Sequence, residues 1–212
     1  MRRNDRVGRN AGFSLVELMI ALTLGLMLTA GLISMFMATL RSNSDLARTQ
    51  QLENELHAGM QVMTRDLRRA GANGKASPVP NFINPFGLGA TGAYAGETAD
   101  SCILFSYDLN DNGVLDTAGT GDERMGYRLR QGVLQLRNSG LGCADDGWTD
   151  VTTPAVVRVT QLQFSVAAVA DGDMTIRRVT INLAGQLKDD ATIARSLVGR
   201  VRVRNDAWTP SP

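Results

Sequence analysis

Between Phe13 and Leu40 the sequence holds 28 residues and a single ionisable side chain, the carboxylate of Glu17. A charge inside a segment apolar enough to cross a membrane costs about 2.5–3.5 kcal/mol or more unless a counter-charge meets it. Glu17 is therefore the first candidate for chemistry, an acid in need of a cation. The second is "DLNDNGVLD" (108–116), which carries oxygen side chains at Asp108, Asn110, Asn112 and Asp116, with Val114 able to offer its carbonyl. These fall at the first, third, fifth, ninth and seventh places of a calcium loop, and Gly113 stands at the sixth, where the chain must turn sharply. The twelfth place is Gly119 instead of a bidentate Glu, so Asp122 or Glu123 would have to complete the shell and affinity would be weak. The plain alternative is an Asn/Gly-rich turn between strands.

Other reactive residues are few. Cys102 and Cys143 lie 41 positions apart. Outside the cytoplasm they would form one disulfide, and in a reducing compartment they would be two buried thiols. His57 is the only histidine. It has no Cys or second His beside it, so neither a metal centre nor a Ser/His/Asp arrangement can be built around it, and no enzyme is expected.

The elements that would position these groups follow from hydropathy. From Phe13 the chain is apolar on all sides to Leu40, longer than the roughly 20 residues that span a bilayer. Over 41–71 it becomes polar, but Leu46, Leu52, Leu56, Met60, Met63 and Leu67 recur at mostly three- and four-residue steps, which makes one apolar stripe. Gly71 and Gly74 then stop the helix. Residues 72–100, rich in Gly, Pro, Ala and Asn, read as a long surface loop. Beyond it come runs of period two: "SCILFSY", then "RMGYRLR" and "GVLQLRN" meeting at Gln131-Gly132 as a hairpin, then Leu162/Phe164/Val166, Val179/Ile181/Leu183 and Val201/Val203. The predicted architecture is α+β, a long N-terminal helix packed on a mostly antiparallel sheet. Arg200, Arg202 and Arg204 would form a solvated strand face or meet an acidic partner.

Charge sets the topology. Residues 1–12 carry Arg2, Arg3, Arg6 and Arg9 against Asp5, a net +3. The rest holds 18 basic and 20 acidic residues, a net −2 that gives no reason to expect nucleic acid. A basic cluster before an apolar helix places the N-terminus in the cytoplasm and the remainder outside. No small-x-small cleavage site follows the apolar run, so an ordinary secretory signal fits poorly.

The run "GFSLVE" (12–17), directly after a short basic leader and opening an apolar helix, resembles the type IV pilin and pseudopilin superfamily. That resemblance implies cleavage by a prepilin peptidase between Gly12 and Phe13, and N-methylation of Phe13. It also implies that Glu17, as fifth mature residue, pairs with the N-terminal amine of a neighbouring subunit. The expected organisation is a leader (1–12), a transmembrane and filament-core helix (13–40), its amphipathic continuation (41–71), and a periplasmic or extracellular β-sheet domain (72–212). Within the superfamily, "MTRDLRRAG" (63–71), "YDLNDNG" (107–113), "ERMGYRLRQGVLQL" (123–136) and "RVRVRN" resemble PilW-like minor pilins. The resemblance implies an inner-membrane protein that joins other minor pilins and the major pilin to prime a pilus. The alternatives are a J-type minor pseudopilin of type II secretion and a non-polymerising, membrane-anchored calcium-dependent adhesion module.

Overall fold

The computed structural model describes residues 12, 14–75, 84–171, 174–205 and 207–208. The chain divides into two compact units, Met1–Ala47 and Arg48–Pro212. The first unit is helical and its described side chains are exposed throughout. Helix α1 (Leu15–Arg69) begins there and continues into the second unit.

In the second unit α1 buries Leu52, Leu56, Gly59, Met63, Asp66 and Leu67, a face repeating every three or four residues. Each of these fully buried Leu and Met side chains contributes about 1.5–3 kcal/mol relative to exposure. Leu46, at the start of the expected stripe, is exposed instead. Two sheets receive this face. Five strands form the first, in the order β1 (Leu88–Gly92), β2 (Cys102–Ser106), β3 (Arg124–Arg130), β4 (Val133–Leu136), β5 (Thr149–Asp150). The second follows the order β6 (Val157–Asp171), β7 (Met174–Leu187), β8 (Ala194–Arg202), with β9 (Ala207–Trp208) also on β7. All the pairings are antiparallel. The fold class is α+β, with two sheets where period-two reading gives one.

Glycines set how closely the helix approaches. A Cβ on Gly59 would stand 2.8 Å from Leu134 Cδ2, and one on Gly199 2.5 Å from Met60 Sδ. A side chain at either position would displace the end of Leu134 or Met60. The hairpin at Gln131-Gly132 forms as its sequence predicts, with φ of 51° and 81°, both in the left-handed region that a two-residue turn of this kind requires. The expected long loop contains a strand, β1, which no periodic pattern announces. Val166 is exposed: the buried alternation along β6 ends at Phe164.

Buried polar bonds lock the helix end. Tyr127 Oη donates to Asp66 Oδ2 at 2.6 Å inside the core. Burial, then the Asp66 carboxylate, push the Tyr127 hydroxyl far above its ordinary pKa, so it stays a donor. Gly71, at φ 79°, ends the helix and donates to Ser106 O. The last helical carbonyls accept from Arg204 N and from Asn205 Nδ2. Next to this cap, Asp108 accepts from the amides of Gly74 (3.0 Å), Asn112 (3.1 Å) and Gly113 (2.7 Å). Burial raises the Asp108 pKa, but these amides together with that of Asp111 outweigh it and hold the carboxyl below its ordinary value.

Two predictions follow from these bonds. Tyr127→Phe should destabilise the fold by about 1.5–3 kcal/mol, because a buried carboxylate loses its best donor; chemical denaturation of the full chain in detergent measures this, and an unchanged midpoint would contradict it. A depressed folded pKa for Asp108 means its contribution is complete above the unfolded value of about 3.9 and is lost as pH falls through the folded value. Amide exchange at Gly74, Asn112 and Gly113 should therefore accelerate below about pH 4, and Asp108→Asn should remove that step.

Candidate functional site

The apolar half of α1 carries the first candidate site. Ser14 O accepts from Leu18 N at 3.1 Å, which starts the helix, and Glu17 lies in its first turn. An acid there complements the positive end of the helix. The hydroxyls of Thr23, Thr29, Ser34 and Thr39 each donate to a carbonyl of their own helix at 2.8–3.0 Å. Polar side chains satisfied in this way place no demand on the surroundings. Glu17 differs, since its carboxylate has no partner among the described residues. Ala21, Gly25 and Thr29 follow it at four-residue steps on one exposed face, and a Cβ on Gly25 would meet nothing within 4 Å. Small residues in this spacing let a second helix come close. Glu17 thus lies on an exposed helix face with small residues following it at four-residue steps. Gly12 is exposed, while Phe13 and residues 1–11 of the leader lie outside the described residues.

The window Leu15–Arg69 contains a span apolar enough to cross a membrane, and none of that span is buried. Leu15, Met27, Leu28 and Met35 are each at least 70% exposed. So large an apolar surface is not stable in water and marks a membrane or a bundle of helices as its surroundings.

The predicted calcium loop is brought together as one turn, but its oxygens bond within it. Asn110 and Asn112 both donate to Asp116 Oδ2, at 2.7 and 3.0 Å. Asn110 Oδ1 accepts from Asn112 N, and Asn112 Oδ1 from Val114 N. Glu123 is fully buried and accepts from Leu109 N (2.6 Å) and Asp116 N (3.0 Å), clamping the loop's two ends. Asp122 pairs with Arg124 at 2.6 Å; hydrogen bonding to that guanidinium, set against a smaller opposing effect of burial, holds its carboxyl below the ordinary value. Among the described residues no group of three or more His, Cys, Asp or Glu side chains is placed to hold a metal ion. These hydrogen bonds shape the turn of the loop.

Cys102 and Cys143 are joined as a disulfide across 41 positions. In the chain-entropy account a loop of that length stabilises by about 3–4 kcal/mol. Sequence reasoning missed what lies beside it. Arg128, opposite Cys102 on β3, is fully buried. It donates to Gln135 Oε1 and to the carbonyls of Cys143 (2.8 Å) and Asp145 (2.6 Å), and lies 4.4 Å from the Trp148 ring and 5.0 Å from that of Tyr94. Burial, and then Arg130 nearby, lower its pKa. The disulfide and Arg128 together fix the 143–148 loop onto sheet β1–β5. A strand residue of period two facing a cysteine was the available signal. His57 is exposed on α1, as the sequence suggests.

Comparison with known proteins agrees with this geometry. A family model described as Prepilin peptidase-dependent protein B matches residues 45–203. A second, the prokaryotic N-terminal methylation motif, matches residues 8–33, which contain Gly12, Phe13 and Glu17. Prepilin peptidase-dependent protein B of Escherichia coli (strain K12) is 25% identical over 156 residues, covering 73% of this chain and 77% of that protein. No solved structure matches. The chain belongs to the prepilin peptidase-dependent protein B family, and is a type IV pilin-like minor pilin or pseudopilin carrying the N-terminal methylation motif.

Proposed function

We propose that this chain is a PilW-like minor pilin that is built, with other minor pilins, into a complex priming assembly of the major pilin. Prepilin peptidase cuts between Gly12 and Phe13, and Phe13 becomes the methylated N-terminus. The helix then stays in the inner membrane, with the sheets on the periplasmic side. The observation that carries this reading is Glu17, the only ionisable residue from Phe13 to Leu40, without a partner on an exposed helix of the kind that bundles. In a single subunit its charge is uncompensated. Beside the Phe13 amine of a neighbour it is paired, and the low dielectric makes the right register the only affordable one. Desolvation of the carboxylate thus turns a local cost into selectivity for assembly.

Mass spectrometry of the protein from membranes tests the processing. The expected mature chain begins at Phe13 and carries one added methyl; an intact Met1 would overturn the reading. Glu17→Ala should leave that cleavage unchanged and reduce incorporation into pili at least about tenfold, the factor that a pairing of about 1.4 kcal/mol supplies. Normal piliation in the variant would refute the pairing role. Loss of protein secretion with pili intact, on deletion of the chain, would move it to the J-type pseudopilins.

A further inference from the structure

Strands β6 and β7 form a long hairpin whose pairing runs without interruption from Gln161↔Ala184 to Asp171↔Met174. The outer edge of β7 is covered along this length. β8 pairs with it from Gln186 to Arg178, Val203 N donates to Arg177 O, and β9 pairs with Thr175 and Met174. β6 is the last strand of its sheet. Its edge is covered only in the first half, where Val159 N donates to Gly132 O and Phe164 N to Asp100 O. Because antiparallel strands turn alternate residues to alternate edges, Val166, Ala168 and Ala170 present their N–H and C=O groups on the same side as Phe164. Among the described residues no backbone hydrogen bond reaches that edge beyond Phe164.

The side chains along this edge carry none of the usual protection. Ser165 through Ala170, "SVAAVA", has no charge and no proline, and all six residues are exposed. Val166 is 39% and Val169 54% exposed. An uncharged edge of β-branched and small residues is a template for another strand, and proteins that do not use such an edge blunt it with Lys, Pro or a bulge. The irregularity in β6 falls earlier, between Val159 and Gln161, and leaves this stretch regular.

We propose that the Ser165–Ala170 edge of β6 pairs antiparallel with the same edge of a second copy of this chain. The segment is complementary to itself. Centred on Ala168, the pairing sets Val166 across from Ala170 and Ala167 across from Val169, with Asp171 across from Ser165 at either end, so each valine faces an alanine and no like charges oppose. An occupant with a charge opposite residues 166–170 would bury it beside valines with no partner here. A six-residue edge is well below the roughly 1,200–2,000 Å² of a stable interface, so the contact forms between copies held at high local concentration by their apolar helices in one membrane.

The test is cysteine trapping of the full-length chain in the membranes of cells expressing it. The two native cysteines are already joined to each other, so one added thiol reports on the new contact alone. Ala168→Cys, with Ala167→Cys as a second variant for a register shifted by one residue, should yield a disulfide-linked dimer under mild oxidation. Asp189→Cys, on the exposed connection between β7 and β8, should not. Adding Val166→Lys to either trapping variant should lower the dimer about fivefold or more, as charged residues on edges do by design. Peptide mapping confirms the joined residues and an intact Cys102–Cys143 bond. Three results would each overturn the proposal: no excess of dimer over Asp189→Cys at either position, insensitivity to Val166→Lys, or trapping of a different protein by Cys at 167 or 168. The N-terminal processing is read from the same samples, so failure of the strand contact is separable from failure of the pilin reading.

Discussion

The packing of one helix face, Leu52 to Leu67, against two sheets is the contact on which the rest of the second unit depends. Neither sheet could cover its inner face alone. Sheet β1–β5 meets the helix where Gly59 admits Leu134, and sheet β6–β9 meets it where Gly185 and Gly199 admit Leu56 and Met60. Each glycine trades helix or strand propensity for closer approach, at a cost of roughly 0.5–1 kcal/mol that the added burial offsets. Asp66, a buried charge in this seam, is held by Tyr127 and by Arg65. It ties the helix to β3 near the point where the helix ends, and the cap at Gly71 then delivers the chain to Asp108. The helix end and the first sheet are therefore fixed by hydrogen bonds as well as by apolar contact, which gives the seam one register.

The same helix has a different task in its first half, where no partner side chain covers it. Its surface is apolar all round, its hydroxyls are satisfied internally, and its single carboxylate is not. That distribution differs from a plain membrane anchor, in which nothing would be gained by a charge in the first turn. It also differs from a soluble helix, which would carry many. A lone unsatisfied charge on an apolar helix makes the isolated subunit the less favourable state and a correctly placed neighbour the more favourable one. In the proposed function the leader motif and this carboxylate belong to one mechanism, because a cut before Phe13 would expose the kind of cation that Glu17 lacks.

Much of this was legible in the sequence, for physical reasons that differ by element. The helix was legible because hydropathy and a three-to-four-residue stripe are properties of the chain itself. Gln131-Gly132 was legible because the turn needs two positive φ angles, and the strands carrying Val179/Ile181/Leu183 and Val201/Val203 because one face of each is buried. Strand β1 was not, since "LGATG" is held by pairing with β2 and not by any pattern of its own. Leu46 read as part of the stripe because spacing cannot say where a partner surface begins. Val166 read as core for the same reason, since alternation continues past the point where the opposing layer stops. The loop at Asp108 shows a further limit. The oxygens of Asp108, Asn110, Asn112 and Asp116 suit a cation by spacing, yet spacing does not register the backbone amides that Asp108 accepts or the buried Glu123 that holds the loop's ends.

Where the described residues are closed and where they are open is itself informative. Arg128, fully buried and without a carboxylate bonded to it, is held by two carbonyls, an amide oxygen and two aromatic rings, although its Nη2 has no hydrogen-bond partner. Two exposures stand out: the apolar half of α1 and the far half of β6. Both are uncharged or nearly so, both are regular in backbone, and both leave a specific demand unmet, a counter-charge in the first and three pairs of backbone groups in the second. Folding of one chain satisfies neither. The β7 side of the hairpin shows that the chain can cover an edge, since Val203, Ala207 and Trp208 lie along it. An edge left bare beside one so carefully covered, on a chain whose anchor is itself shaped for neighbours, is most simply a surface for association.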